Sequence, residues 1–204
     1  MNQDLPAPAR PGGILGKLLV LLLFLALAGS VVRGFLVTPV DGTLEQRELF
    51  GDGGPPAGLT LASAVRLPTG DAVVRFERTG EGGGARDVVF LEYASRPAAE
   101  AAMRATAGDG PQSPAERLKE WEKDKAFDWV ALMKRGEIEW GEWRAKLVIE
   151  RSFRKGGGWS EEARVDLSTQ ARPLVLCVRW PEETPADEVE LRGLLAAVRL
   201  APGS

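Results

Sequence analysis

Hydrophobic positions along this chain follow two regimes. From Leu18 to Val32 they form an uncharged block, LLVLLLFLALAGSVV; from Leu59 onward they recur at intervals of two, or of three and four. A continuous block suits lipid, whereas periodic spacing suits strands and helices that bury one face. As a helix the block is about 22 Å long, short of a hydrocarbon core of about 30 Å. Ile14 to Gly16 and Gly34 to Val37 lengthen it, provided Lys17 and Arg33 bury their stems and set their charges at the two membrane interfaces. Residues 14–37 are therefore predicted as a transmembrane helix, a signal anchor. The rival reading is a cleaved secretory signal, since Ala26-Leu27-Ala28 before Gly29 fits a small-x-small site. Apolar character continues past that site through Val31, Val32 and Phe35, which favours the anchor. Arg10 and Lys17 balance Arg33 and Arg47 across the block, and the α-amino group tips the N-terminus toward the cytoplasm. The rest of the chain is then expected outside it.

Residues 1–13 are polar and rich in Pro and Gly, and read as a disordered tail. Residues 38–58, with Pro39, Gly42 and the run Gly51 to Pro56, read as a linker. The domain is expected at 59–201. Leu59–Leu67 and Ala72–Arg78 flank Pro68-Thr69-Gly70-Asp71 and predict a β-hairpin, and Arg86–Tyr93 a third strand. An Ala-rich helix follows to Ala107, capped by Ser95. Ser113-Pro114-Ala115-Glu116 is a capping box that opens a second helix running toward Arg135, with Leu118, Trp121, Trp129 and Leu132 on one stripe and Gly136 as its stop.

Trp143 to Phe153 alternate, with a bulge or turn expected at Gly141. Lys155 to Gly158 turn the chain into Trp159–Leu167. Leu174–Trp180 is apolar on both faces and reads as a central strand holding Cys177 as an inert thiol. Thr184 to Asp187 cap a last helix facing the core through Leu191, Leu194, Leu195 and Val198. The predicted class is α+β: an N-terminal transmembrane helix, then one domain with a mostly antiparallel sheet of six to seven strands and about three helices. The order of elements, and that alone, is similar to an α/β/α sandwich of the PsbP-like type.

Composition removes several chemistries. The 204 residues contain no His and one Cys, and Asn2 is the sole Asn. Histidine-based catalysis or metal binding, an intrachain disulfide and a glycosylation sequon in the domain are excluded. With a net charge of −3 the chain has no electrostatic footprint for nucleic acid. The expected partners are the lipid bilayer and a protein; no cofactor and no metal is expected.

Six Trp are the most unusual positive feature. Trp140, Trp143 and Trp159 are candidate ligand-binding platforms, although core filling accounts for most Trp in a domain of this size. Glu137, Glu139 and Glu142 surround Trp140 and could do acid/base work. Arg144, Lys146, Arg151, Arg154 and Lys155 cluster around one hairpin and could meet anionic head groups. Ser152 and Lys155 match a Ser-x-x-Lys spacing, but residues three apart on a strand face opposite ways. The expected function is a single-pass membrane-anchored protein with an extracytoplasmic, non-catalytic binding or assembly domain. The alternative is a small-ligand carrier or sensor with a Trp-lined cleft, or else a carboxylate-dependent enzyme.

Overall fold

A computed structural model describes residues 37–78, 84–104, 114–125 and 127–199. The predicted transmembrane helix, its interface residues Lys17 and Arg33, and the tail 1–13 lie outside the described residues, Val37 excepted. No helix among the described residues is long and apolar enough to cross a membrane.

Within the unit Thr38–Ser204 the chain forms eight strands and four α-helices. They are β1 (Thr38–Pro39), α1 (Gly42–Phe50), β2 (Leu59–Arg66), β3 (Ala72–Arg78), β4 (Asp87–Glu92), α2 (Arg96–Ala102), α3 (Pro114–Asp124), β5 (Trp129–Trp140), β6 (Trp143–Phe153), β7 (Trp159–Asp166), β8 (Leu174–Arg179) and α4 (Glu188–Ala197). All eight strands join one sheet in the order β1-β2-β3-β4-β8-β7-β6-β5. Every neighbouring pair is antiparallel. The expectation of six to seven strands and about three helices is thus corrected to eight and four.

Two misreadings account for the difference. Residues 38–58 are not a linker, because β1 and α1 occupy most of that stretch. Asp41 caps α1 by accepting from the amides of Thr43 and Leu44. Leu49 and Phe50 at its end are fully enclosed. Phe50 meets Phe76 and Phe90 edge-on, with ring centroids 5.4 and 5.6 Å away. The sequence hid this helix because α1 shows few apolar positions, and the Gly- and Pro-rich run after it dominates the reading.

The second misreading concerns residues 125–135. The helix predicted to reach Arg135 stops at Asp124, where Lys125 takes a positive φ of 50°. The chain then enters β5, the longest strand. Ala131, Leu132, Met133, Lys134 and Arg135 are good helix formers, but β6 pairs with them along the whole strand. A bulge between Leu132 and Lys134 breaks the period-2 alternation there, which is why the apolar positions imitate a helical stripe.

Side-chain alternation gives the sheet two unlike faces. One carries Val74, Phe76, Val88, Phe90, Leu147, Ile149, Val165, Leu174, Leu176 and Val178, covered by Leu49 and Phe50 of α1 and by Leu191, Leu194 and Leu195 of α4. The other is largely polar, with a small apolar patch of Val148 and Val175 under Ala99 of α2 and Met103. α3 packs at the end of the sheet, where Trp121 and Trp129 enclose Phe153; the Trp129 and Phe153 rings stack 4.6 Å apart.

Phe50→Ala is expected to lower the unfolding free energy by about 3–5 kcal/mol, measured by urea denaturation. A change below 1 kcal/mol would mean that α1 does not belong to the core.

Candidate functional site

The ionisable side chains at the junctions between helices, loops and sheet are engaged with one another. Arg172, in the turn between β7 and β8, binds Glu45 (2.8 Å) and Glu48 (3.1 Å) of α1 and Glu92 (2.7 Å) of β4. Burial draws its guanidinium pKa down, but Glu92 and Glu45 outweigh this and hold it above its usual value. Arg151 reaches the buried Glu161 at 2.6 Å and lies 3.9 Å over the Trp159 ring. Glu161 also accepts from the Ala186 amide and so fixes the segment leading into α4. Glu190 binds Arg78 and accepts from the Ala85 amide and the Trp180 indole N–H. Arg164 binds Glu150 and the Ala102 carbonyl.

The widest depression, about 780 Å³, opens beside the start of α4 and is lined by Gly84, Trp180 and residues 184–190. Its inner carboxylate is Glu190, held as described, and Asp187 caps the helix by accepting from Val189 and Glu190 amides. A smaller hollow of about 210 Å³ on the polar face lies among Arg75, Asp87, Val89, Glu162, Cys177 and Arg179. Its charges pair across it, Arg75 with Asp87 and Arg179 with Glu162, each at 2.8 Å. Among the described residues no group of three His, Cys, Asp or Glu side chains could hold a metal ion.

The predicted platform residues are not brought together. Trp140 and Trp143 face each other across the turn at Gly141 and Glu142, where Gly141 adopts the positive φ (58°) that such a turn needs. Trp140 is buried, whereas Trp143 is half exposed. Trp159 pairs with Phe153 at the opposite end of β6, roughly 33 Å along the strand from Trp143. Trp121, Trp129 and Trp180 are core residues. The predicted basic cluster also divides. Arg144 and Lys146 stand exposed on the polar face, Arg151 lies on the opposite face with Glu161, and Arg154 binds Glu182 beyond the strand. Glu137 and Glu139 share one face, as two-residue spacing requires, and both are exposed, as is Glu142 in the turn.

What the geometry gathers is an edge. β5 is the last strand of the sheet, and among the described residues no strand pairs with its outer side. The opposite edge is the two-residue β1, so β5 holds nearly all the exposed ladder. Leu132 and Met133 are exposed at its bulge, and Trp143 is exposed beside its far end. Lys134 reaches Glu188 of α4 at 2.6 Å, while Arg135, Gly136, Glu137 and Glu139 face solvent. Sequence reasoning missed Leu132, Met133, Arg135 and Gly136 as site residues because they fell inside the predicted helix. The signal was the alternation Gly136, Ile138, Trp140 against Arg135, Glu137, Glu139, read as the start of a strand only after Gly136.

No family model, no curated protein and no solved structure matches this chain.

Cys177, under the α2 patch, provides a pH test. Burial pushes its thiol from an ordinary value of 9.0 up to about 12. Below pH 9 both folded and unfolded chains keep this proton, so the group adds no pH dependence. Between pH 9 and about 12 only the unfolded chain loses it, and stability falls as pH rises. Cys177→Ala is expected to flatten that part of the stability profile, measured by urea midpoints from pH 8 to 11. An unchanged slope would contradict the assignment.

Proposed function

We propose that this chain is a non-catalytic assembly module, carried at a membrane by its apolar block at 18–32, and that it engages a protein through the outer edge of β5. The observation that carries the reading is a twelve-residue edge strand bordered by exposed Leu132, Met133 and Trp143. An unpaired ladder of that length offers a row of amides and carbonyls that another strand can complete. The engagement of the buried carboxylates in structural pairs also supports a binding role over turnover. The block at 18–32 supports attachment to lipid on hydropathy, and the charge balance around it supports a domain outside the cytoplasm.

Proline separates pairing on the outer edge from folding of the sheet. Counted from the Trp140↔Trp143 pair that closes the turn, the alternation of an antiparallel ladder aims the amides of Arg135, Glu137 and Glu139 outward. Arg135→Pro removes an outward amide and leaves the β5–β6 ladder its own hydrogen bonds. The full chain in native membranes, solubilised gently, is expected to run on native electrophoresis as an assembly larger than one copy. The Arg135→Pro chain is expected to run at a single copy with an unchanged thermal midpoint. A parent chain that already runs as one copy would overturn the reading.

A further inference from the structure

We propose that the occupant of the β5 edge is the β5 edge of a second copy of this chain, running antiparallel about a two-fold axis at Gly136. This rests on the assembly reading above and names its partner. The local sequence is Arg135-Gly136-Glu137, which reverses its charge about the glycine. With the axis at Gly136, Arg135 of each copy stands opposite Glu137 of the other, so the contact is made twice.

Both residues project from the polar face, as their positions opposite Val148 and Lys146 require, and both are exposed. Each charge then has an unlike neighbour along its own strand and an unlike neighbour across, with like charges only on the diagonals. Other axes fit worse. Outward-facing amides must meet outward-facing amides, so the axis has to fall on a residue. An axis on Arg135 sets Arg135 against itself, and one on Glu137 sets Glu137 against itself.

The backbone agrees with the charges. Arg135 and Glu137 aim their amides and carbonyls outward, so they supply the hydrogen-bonded pairs on either side of the axis. Gly136 falls in the pair between them, which in an antiparallel ladder brings Cα atoms to about 4.5 Å. No side chain from either copy competes for that space. The bulge at Met133 and the turn at Gly141 bound the regular stretch, so residues 133–139 pair with their own image. Glu137 already faces Arg144 of its own chain, at 3.9 Å and largely exposed, a weak contact that yields readily. A contact of this kind is isologous and closes at two copies. It buries both long edges and leaves only the two short β1 edges.

The test is a symmetric cross-link in the full chain in mild detergent, in a Cys177→Ala background so that one thiol is present. A Cβ at Gly136 meets nothing within 4 Å, so Gly136→Cys fits its own chain. Under mild oxidation Gly136→Cys is expected to form a disulfide-linked dimer roughly tenfold or more faster than Gln170→Cys, an exposed control in the β7–β8 turn. Adding Arg135→Glu is expected to bring the rate down to the control, and adding Glu137→Arg to that chain to restore it. A Gly136→Cys rate equal to the control, or one indifferent to the charge changes, overturns the proposal. Should Gly136→Cys fail to fold, the charge variants without it are read by light scattering: two copies for the parent and the double exchange, one for Arg135→Glu. A large native assembly without the Gly136 link means a different partner chain, so this inference falls and the assembly reading stands. A single copy throughout removes both.

Discussion

The pairing of β4 with β8 is the constraint on which the rest of this domain depends. Six residue pairs, from Asp87↔Arg179 to Glu92↔Leu174, join two four-stranded meanders that are otherwise separate. Either meander by itself would show two raw edges and half of an apolar face. Joined, they align Val88 and Phe90 with Leu176 and Val178 and make one surface broad enough for α1 and α4 to cover. The partners are more than 80 positions apart in the chain, so this contact is non-local and its closure carries a large loop entropy. The same joint decides which backbone stays exposed, because it buries the inner edge of each meander and leaves β1 and β5 outside.

Charged residues fix how that surface is covered. Arg172 ties α1 to β4, Glu161 ties the approach of α4 to β6, Arg164 ties the end of α2 to the polar face, and Glu190 ties α4 to the segment before β4. Such pairs add little net stability, since desolvation offsets most of their attraction. Removing one partner is costly, however, because it strands the other. They therefore act as registers that hold helices and loops in one arrangement over an apolar face that would tolerate several. Their consequence for function is that the acidic and basic groups in the interior are already committed.

Strands with clean alternation were legible in the sequence. β3, β4, β6, β7 and β8 fall close to their predicted positions, and Leu174–Trp180, apolar on both faces, does hold a central place. α1 was not legible, because a nine-residue helix with glutamates at 45 and 48 shows its core contribution only in Leu49 and Phe50. β5 was not legible for the opposite reason: its propensity and its bulge both imitate a helix, and only tertiary pairing with β6 overrides them. The site inherited that error. Trp140, Trp143 and Trp159 drew notice through residue type, but the sheet separates them, whereas Arg135 and Gly136 acquire meaning only once β5 is known to be the edge.

An exposed edge strand invites unwanted pairing, and natural sheets answer with charges and bulges. β5 carries both, yet the order of its charges matters more than their presence. A row of lysines would repel any strand, including its own image. Arg135 and Glu137 about Gly136 instead discourage strands whose charges run in another order, and they accept the one strand related to them by a two-fold turn. The paired stretch is short, and a short ladder is weak between molecules diffusing in bulk. Copies held at a bilayer by the apolar block at 18–32 would meet in two dimensions at raised effective concentration, where modest pairing suffices. The two unusual features of the chain, an oily leading block and a charge-reversing edge, then belong to one device: the first brings copies together and the second selects the alignment in which they join.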